Sequence, residues 1–403
     1  MQRLRGVRQL GLAHLVYPGA VHTRFEHSLG VYAVGRLLLG ELGARSPGVL
    51  SGDDERCFLA ACLLHDVGHY PFSHTLEELP AHPGGGVRIV RHDERVREII
   101  LGDPQVPAIL RREWGCDPER ICRVIDELSA DGGVADDRLR GLLAGPLNPD
   151  RLDYIERDSL HVGVPYGRAV DTERLLAAIT FAPDGRELCV SSKGVSAVET
   201  LIFASYLMYR EVYWHHAVRA AQAMLKRAAS EALLCGEVRE AALVAADDEQ
   251  AVALLCKGCN PATSALMAGL GSGRGIYRRV YSGTLSEVSE MPPGPARDLL
   301  LQLAEGDHWD AERLLAEVVA SFHRATGQQT LPHQLLYDVA GRGKELFFSV
   351  PVLWSGGRLR STSEPEVSLV APSLATNFDR HAKRQQLLAP PELAPDFRRF
   401  LGL

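Results

Sequence analysis

Cysteine is scarce in this sequence: eight residues among 403, scattered rather than evenly framed. That is too few for a disulfide scaffold and points to a reducing, cytoplasmic compartment. No apolar run approaches the roughly 20 residues needed to span a bilayer. The N-terminus (MQRLRGVRQLGLAH) also lacks the apolar stretch of a signal peptide, so no membrane association is expected. Positive charge is not in excess: Lys and Arg total 44 against 51 Asp and Glu, a formal charge of -7. Proteins that hold long duplexes draw most of their affinity from neutralising phosphates. A duplex partner is therefore not expected, whereas a local basic pocket for one small polyphosphate is allowed. Aromatics are only 6%, which leaves Leu, Val, Ala and Ile to build the core. With 46% hydrophobic and 24% charged residues, the composition excludes disordered and low-complexity classes. At about 150 residues per domain, the length suggests two or three folding units.

Helical periodicity dominates residues 1–235. Leu29, Val31 and Ala33–Leu39 predict a buried helix after the polar run His22–Ser28, and Glu55–His65 predicts another behind the cap-like Ser51-Gly52-Asp53-Asp54. Leu175–Thr180 reads as helical, and Arg186–Ser192 as a hairpin strand after the turn Pro183-Asp184-Gly185. A long helix is predicted from about Val195 to Leu234. Pro83–Gly86 and Asp131–Gly133 mark loops. After residue 235 the composition shifts: Pro261 and the glycines at 269, 271, 273 and 275 punctuate shorter helices, and Ile276–Tyr281 and Leu346–Leu353 are β-rich. The expected architecture is mainly α, with a helical core over 1–235 and a smaller α+β lobe over 236–403. Gly269-Leu270-Gly271-Ser272-Gly273 lacks a preceding strand and reads as a hinge, not a dinucleotide loop. Cys256-Lys257-Gly258-Cys259 has no second ligand pair and reads as two unremarkable cysteines.

Four polar sites interrupt the apolar helices: His22–His27, His65–His69, His92–Glu94 and Asp150–Asp158. The dipeptide His65-Asp66 ends the apolar run Cys57–Leu64, where an unpaired buried charge would cost several kcal/mol. A divalent cation would supply the missing charge. His27 and Asp150 could complete a His/His/Asp/Asp site suited to Mn, Fe, Co, Zn or Ni rather than Ca. Such a site keeps positions open for water and a phosphate oxygen. Taken alone, the dipeptide is more commonly a satisfied helix-end pair.

The surrounding pattern changes that weighing. QRLRGVRQLG at 2–11, YPGAVHTRFEHSLGVY at 17–32, HDVGHYPFSHTLE at 65–77, RHDE at 91–94 and DRLDYIERD at 150–158 occur in this order. Together they resemble the HD-domain phosphohydrolase superfamily, in the branch of the SAM-and-HD-domain dNTP triphosphohydrolases and their bacterial dNTPase relatives. The resemblance is strong across about residues 1–235 and traceable to the end through GVPYGR at 163–168. It implies a helical HD fold and cleavage of a dNTP into deoxynucleoside and inorganic triphosphate. Carried over by position, it makes His27, His65, Asp66 and Asp150 the metal ligands, with Mg accompanying the nucleotide. Arg24 falls at the phosphate end, His69 at a catalytic histidine, and His92 at the proton donor to the leaving 5′-oxygen. Glu77 stands where the animal enzymes carry an aspartate. Gln9 and Leu10 fall against the deoxynucleoside.

Asp150, Tyr154 and Asp158 form one helical stripe. The resemblance places Arg151 on phosphate and Tyr154 and Asp158 on the sugar, and it adds Arg210 and His215 (or His216) as phosphate contacts. Asp153 and Arg157 read as an i,i+4 ion pair. The resemblance begins at residue 1, inside a segment that relatives precede with further residues; this region often carries oligomer contacts, so a homo-oligomer (dimer or tetramer) is expected. The competing expectations are another HD phosphohydrolase activity, on nucleoside monophosphates, alarmones, cyclic dinucleotides or single-stranded DNA 3′ ends, and a non-catalytic nucleotide sensor.

Overall fold

The structure is a computed structural model that describes residues 1–85, 87, 89–126, 132–258, 260–340 and 349–403, without the side chains of 379–381. The N-terminal part is helical: α1 (Arg24–Arg45), α2 (Gly52–Leu64), α3 (His92–Gly102), α4 (Gln105–Glu113), α5 (Pro118–Ile125), α6 (Val134–Ala144), α7 (Pro149–Val162), α8 (Thr172–Leu176), α9 (Val195–Met208) and α10 (His216–Leu234). Local chemistry starts the helices that matter for the site. Thr23 caps α1 by accepting from the Glu26 amide. Ser51 and Asp54 form a reciprocal capping box on α2. Asn148 caps α7, with Pro149 in its first turn. The apolar stripe Val31, Leu38, Leu39 and Leu42 of α1 is buried, and α1 packs between α2 and α7. This sandwich brings the N-terminus of α1, the C-terminus of α2 and the first turn of α7 to one place.

The second half mixes helices with two small sheets. One has the order β1-β2-β5-β6, from Ile179–Phe181, Leu188–Ser191, Pro351–Leu353 and Leu359–Ser361. The other has the order β3-β7-β4, from Arg278–Gly283, Gln385–Ala389 and Leu336–Val339. Its central strand is buried at every position, as a strand covered on both faces must be. β5 pairs in parallel with β2 at Val190↔Val352, so the chain after residue 235 returns to the N-terminal core. No described helix is long and apolar enough to cross a membrane.

Several boundaries differ from expectation. The helix predicted over 195–234 is broken by a π-turn at Tyr209–Tyr213, and His215 caps a new helix. Leu175–Thr180 ends its helix at Leu176 and becomes β1 at Ile179, paired antiparallel with β2. The proposed hinge is helical: Gly269 and Gly271 lie within Pro261–Ser272, and Gly273 closes it in the left-handed conformation. There Gly275 passes so close to Gly269 that a Cβ on either would meet the other's backbone. The β-rich run at 276–281 starts its strand at Arg278; of the run at 346–353, residues 346–348 lie outside the described part and 351–353 form β5. Cys259 is also outside it.

Candidate active site

A cavity of about 580 Å³ opens where α1, α2, α3 and α7 meet. Gln9, Leu10, Arg24, His65, Asp66, His69, His92, Asp150, Arg151, Tyr154 and Asp158 all line it. His27 and Glu77 sit just behind this wall, bonded to its members.

The first cluster is metal-like. One donor atom each from His27, His65 and Asp150 falls within 4.8 Å of the other two. His27 is fully buried, with Nε2 2.9 Å from Asp150 and Nδ1 2.7 Å from Asp153. Burial opposes a charged ring here, but the two carboxylates outweigh it and push its pKa up to about 10. Asp153 is itself clasped by both ends of the Arg157 guanidinium at 2.8 Å, the predicted i,i+4 pair. That pair therefore orients His27, a role the sequence reading did not assign. His65 Nδ1 lies 2.8 Å from the Cys62 carbonyl, which fixes the tautomer and leaves Nε2 as a bare lone pair. Nε2 is buried and has no hydrogen-bond partner among the described residues. Such an orphaned donor beside Asp66 (3.3 Å) and Asp150 (3.8 Å) is what a divalent cation would satisfy, so the residues fit one. Asp66 stands differently. Its Oδ2 accepts from Arg24 at 2.7 Å and lies 3.9 Å from His27 Nε2, while its Oδ1 faces His65 Nε2 at 3.3 Å and His69 Nε2 at 3.1 Å.

The second cluster gathers on Glu77. His69 and His92 stack at 3.7 Å between centroids, and His92 Nδ1 lies 3.1 Å from Glu77 Oε2. Burial opposes the Glu77 charge, but the hydrogen-bonding histidines around it hold its carboxyl well below the usual range. Burial also opposes protonation of His92, yet Glu77 prevails and raises its pKa. His69 goes the other way: burial, with Arg24 and His92 alongside, lowers its pKa to about 3. Two similar rings in contact are thus pushed in opposite directions by their surroundings.

His74 joins this cluster, its Nδ1 3.5 Å from Glu77. It was missed, although it stands inside the quoted run HDVGHYPFSH. It is presented by a strained turn: Phe72 and Ser73 both have φ of 59°, a conformation costing roughly 1–3 kcal/mol per non-glycine residue. Asp248 accepts from the Phe72 amide at 2.8 Å, and the Ser73 hydroxyl accepts from Arg24 Nε at 2.9 Å, which together hold the turn. Arg24 thus spends Nε and Nη1 inside the protein.

The glycine of His65-Asp66-Val67-Gly68-His69 has a spatial cause. A Cβ at Gly68 would run into the His92 carbonyl oxygen, so only glycine lets the start of α3 lie against this turn. Gly68→Ala is therefore expected to displace His92 and cost roughly 10²-fold in kcat, the penalty of about 1 Å of misplacement. Steady-state kinetics and metal content measured together will show kcat falling while bound metal is kept.

On the substrate wall, Arg151 lies 3.2 Å from the Pro146 carbonyl, and Asp158 bonds His22 and the Tyr213 hydroxyl at 2.7 Å each. Arg210 and His215 do not line the cavity. The π-turn inserts an extra residue, and Arg210 faces outward, half-exposed, on Glu211 and Tyr206. Tyr209, Tyr213 and Trp214 occupy that wall instead. Their only sequence signal is their place in the run YREVYW.

Histidines and aspartates at the ends of three packed helices form a cluster that could hold a metal ion. Residues 24–138 match the HD domain family, and residues 170–320 match the HD associated region. The chain belongs to the HD-domain phosphohydrolase superfamily. It is 36% identical over 226 residues to the uncharacterized protein YwfO of Bacillus subtilis, covering 56% of this chain and 48% of that one. It is 29% identical over 257 residues to the deoxynucleoside triphosphate triphosphohydrolase SAMHD1 of Gallus gallus, covering 57% and 41%. The matched stretch thus spans about half the length of these curated relatives. Among solved structures, a hypothetical protein from Aquifex aeolicus superposes with a TM-score of 0.72 at 25% identity, over 99% of this chain and 92% of that one. A phosphohydrolase from Bacteroides thetaiotaomicron gives 0.69 at 23% identity, covering 96% and 92%, and attests the fold.

Proposed function

We propose that this cavity hydrolyses deoxynucleoside triphosphates between the 5′-oxygen and the α-phosphorus, releasing deoxynucleoside and inorganic triphosphate. The observation that carries this reading is one cavity shared by the His27/His65/Asp150 cluster, a histidine acid held by Glu77, and the stripe Arg151, Tyr154 and Asp158. His27, His65 and Asp150, joined by Asp66, would hold a divalent ion, which when bound offsets phosphoryl charge and lowers the pKa of water. Arg24 and Arg151 stabilise negative charge on the phosphates. Tyr154 and Asp158 take the sugar, with Gln9 and Leu10 against the nucleoside. His92 gives its proton to the leaving 5′-oxygen, and Glu77 keeps that proton in place until then.

The test is turnover with each dNTP, singly and mixed, in Mn²⁺, with products separated by ion exchange. Triphosphate is the expected product. Phosphate or pyrophosphate would transfer the reading to another phosphohydrolase activity, and absence of product would favour a sensor.

A pH profile tests the proton donor. Because Glu77 raises the His92 pKa above the ordinary imidazole value, the protonated form survives to higher pH than in a free histidine and is lost as pH climbs through that raised value, so kcat should fall on the alkaline side. Glu77→Gln removes the anion that raises it. The alkaline limb should then move to lower pH and kcat should drop roughly 10²-fold. An unmoved limb would remove His92 from the role.

A further inference from the structure

The quartet His69, His74, Glu77 and His92 contains more donor chemistry than a proton relay uses. One donor atom from each lies within 4.8 Å of the other three. All three histidines turn Nδ1 to the same carboxylate, at 3.3 Å for His69, 3.5 Å for His74 and 3.1 Å for His92. Two of the facing atoms are unsatisfied. His69 Nδ1 and Glu77 Oε1 are both buried without a hydrogen-bond partner among the described residues, though only 3.3 Å apart. On its other side His69 Nε2 meets Asp66 at 3.1 Å, so the ring is held between two carboxylates. A neutral imidazole has one N–H to give, and its other nitrogen then turns a lone pair toward an anion. A cation between them removes that repulsion.

We propose that His69, His74, Glu77 and His92 form a second divalent-cation site, distinct from the His27/His65/Asp150 centre, selective for Zn²⁺-like ions and inhibitory when filled. Three imidazoles and one carboxylate are the donors that Zn²⁺, Co²⁺ and Ni²⁺ prefer, whereas Mg²⁺ and Ca²⁺ favour all-oxygen shells. The stacked rings of His69 and His92 hold their nitrogens side by side, and ligation at about 2.0–2.1 Å requires only that the pair splay. His74 supplies the entry: its side chain is 64% exposed, so it can swing onto an arriving ion. A cation on His92 Nδ1 and Glu77 prevents the protonated His92 ring that turnover needs. That inhibitory consequence rests on the proposed reaction; the binding rests on the quartet alone.

Equilibrium dialysis of the full chain against Zn²⁺, and separately Co²⁺, with bound metal counted by mass spectrometry and Co²⁺ geometry followed by visible absorption, decides between outcomes. The wild type is expected to take up two ions per chain. His74→Ala, an exposed position whose loss does not threaten folding, should weaken the second ion at least ~10-fold, and Glu77→Gln should abolish it. His65→Ala should lose the other ion and keep this one. A wild type that binds the quartet's ion but no His65-dependent ion would sink the proposed function and leave this inference standing. A wild type whose single ion is lost in His65→Ala, or a second ion indifferent to both His74→Ala and Glu77→Gln, would overturn it.

Discussion

Replacing Asp66 by alanine is expected to abolish turnover, by roughly 10³-fold or more, and to lower stability by about 3–5 kcal/mol. The second effect distinguishes Asp66 from its neighbour His65. Arg24 and Asp66 are both buried and meet at 2.7 Å, and burial of the carboxyl, which would favour its neutral form, is outweighed by Arg24 and the adjacent histidines. Without Asp66 the guanidinium keeps only the Ser73 hydroxyl as a side-chain partner among the hydrogen bonds described. A buried charge left without its counter-ion is among the few single changes that cost this much. His65→Ala should abolish turnover too, yet leave the Arg24–Asp66 pair whole and shift the urea midpoint far less. From the sequence, both variants are expected to leave the helices largely intact; the Arg24–Asp66 pair adds a stability cost for Asp66. An Asp66→Ala protein with the wild-type midpoint would show that the pair contributes nothing net.

The site was legible to the extent that its residues are close in sequence. Helix ends write themselves into short motifs: the cap-like run at Ser51 was readable in the sequence, and in the structure Thr23, Ser51 and Asn148 cap helices whose His27, His65 and Asp150 lie two to fourteen residues beyond them. The metal-type donors His27, His65 and Asp150 were named from such motifs and do converge. Legibility failed where the chain leaves regular geometry. The chain takes a π-turn at Tyr209–Tyr213, and there Tyr209, Tyr213 and Trp214 line the cavity while Arg210 and His215 do not. The strained pair Phe72 and Ser73 likewise hid His74, since propensity does not foresee a left-handed phenylalanine. Asp153 shows a subtler limit. Its pairing with Arg157 follows from i,i+4 spacing, but its grip on His27 depends on how α1 meets α7, and spacing carries no such information.

Long-range charge pairing is the least legible of all, and it yields the last prediction. Asp338→Ala is expected to lower stability by about 3–5 kcal/mol, read as a reduced urea midpoint. Asp338 is 2% exposed on β4, where it accepts from Arg219 at 2.7 and 2.8 Å and from Lys226 at 2.9 Å. Both cations also reach Glu78, Arg219 at 2.7 and 3.0 Å and Lys226 at 2.6 Å. Two positive and two negative groups thus balance in a buried square that ties α10 and β4 to the segment carrying Glu77. Arg219 thus directs its charge into this square. Removing Asp338 leaves two buried cations on one carboxylate, so the cost is that of uncompensated charge rather than of a lost contact. Glu78 would then be drawn toward the excess positive charge, and Glu77, one residue before it, should move with it, so kcat should fall together with the midpoint. The double variant Asp338→Leu with Lys226→Met restores balance with apolar groups of similar size and should recover most of the stability. If the single variant unfolds where the wild type does, or the double variant is worse than the single, the square is not what fastens β4 to the catalytic segment.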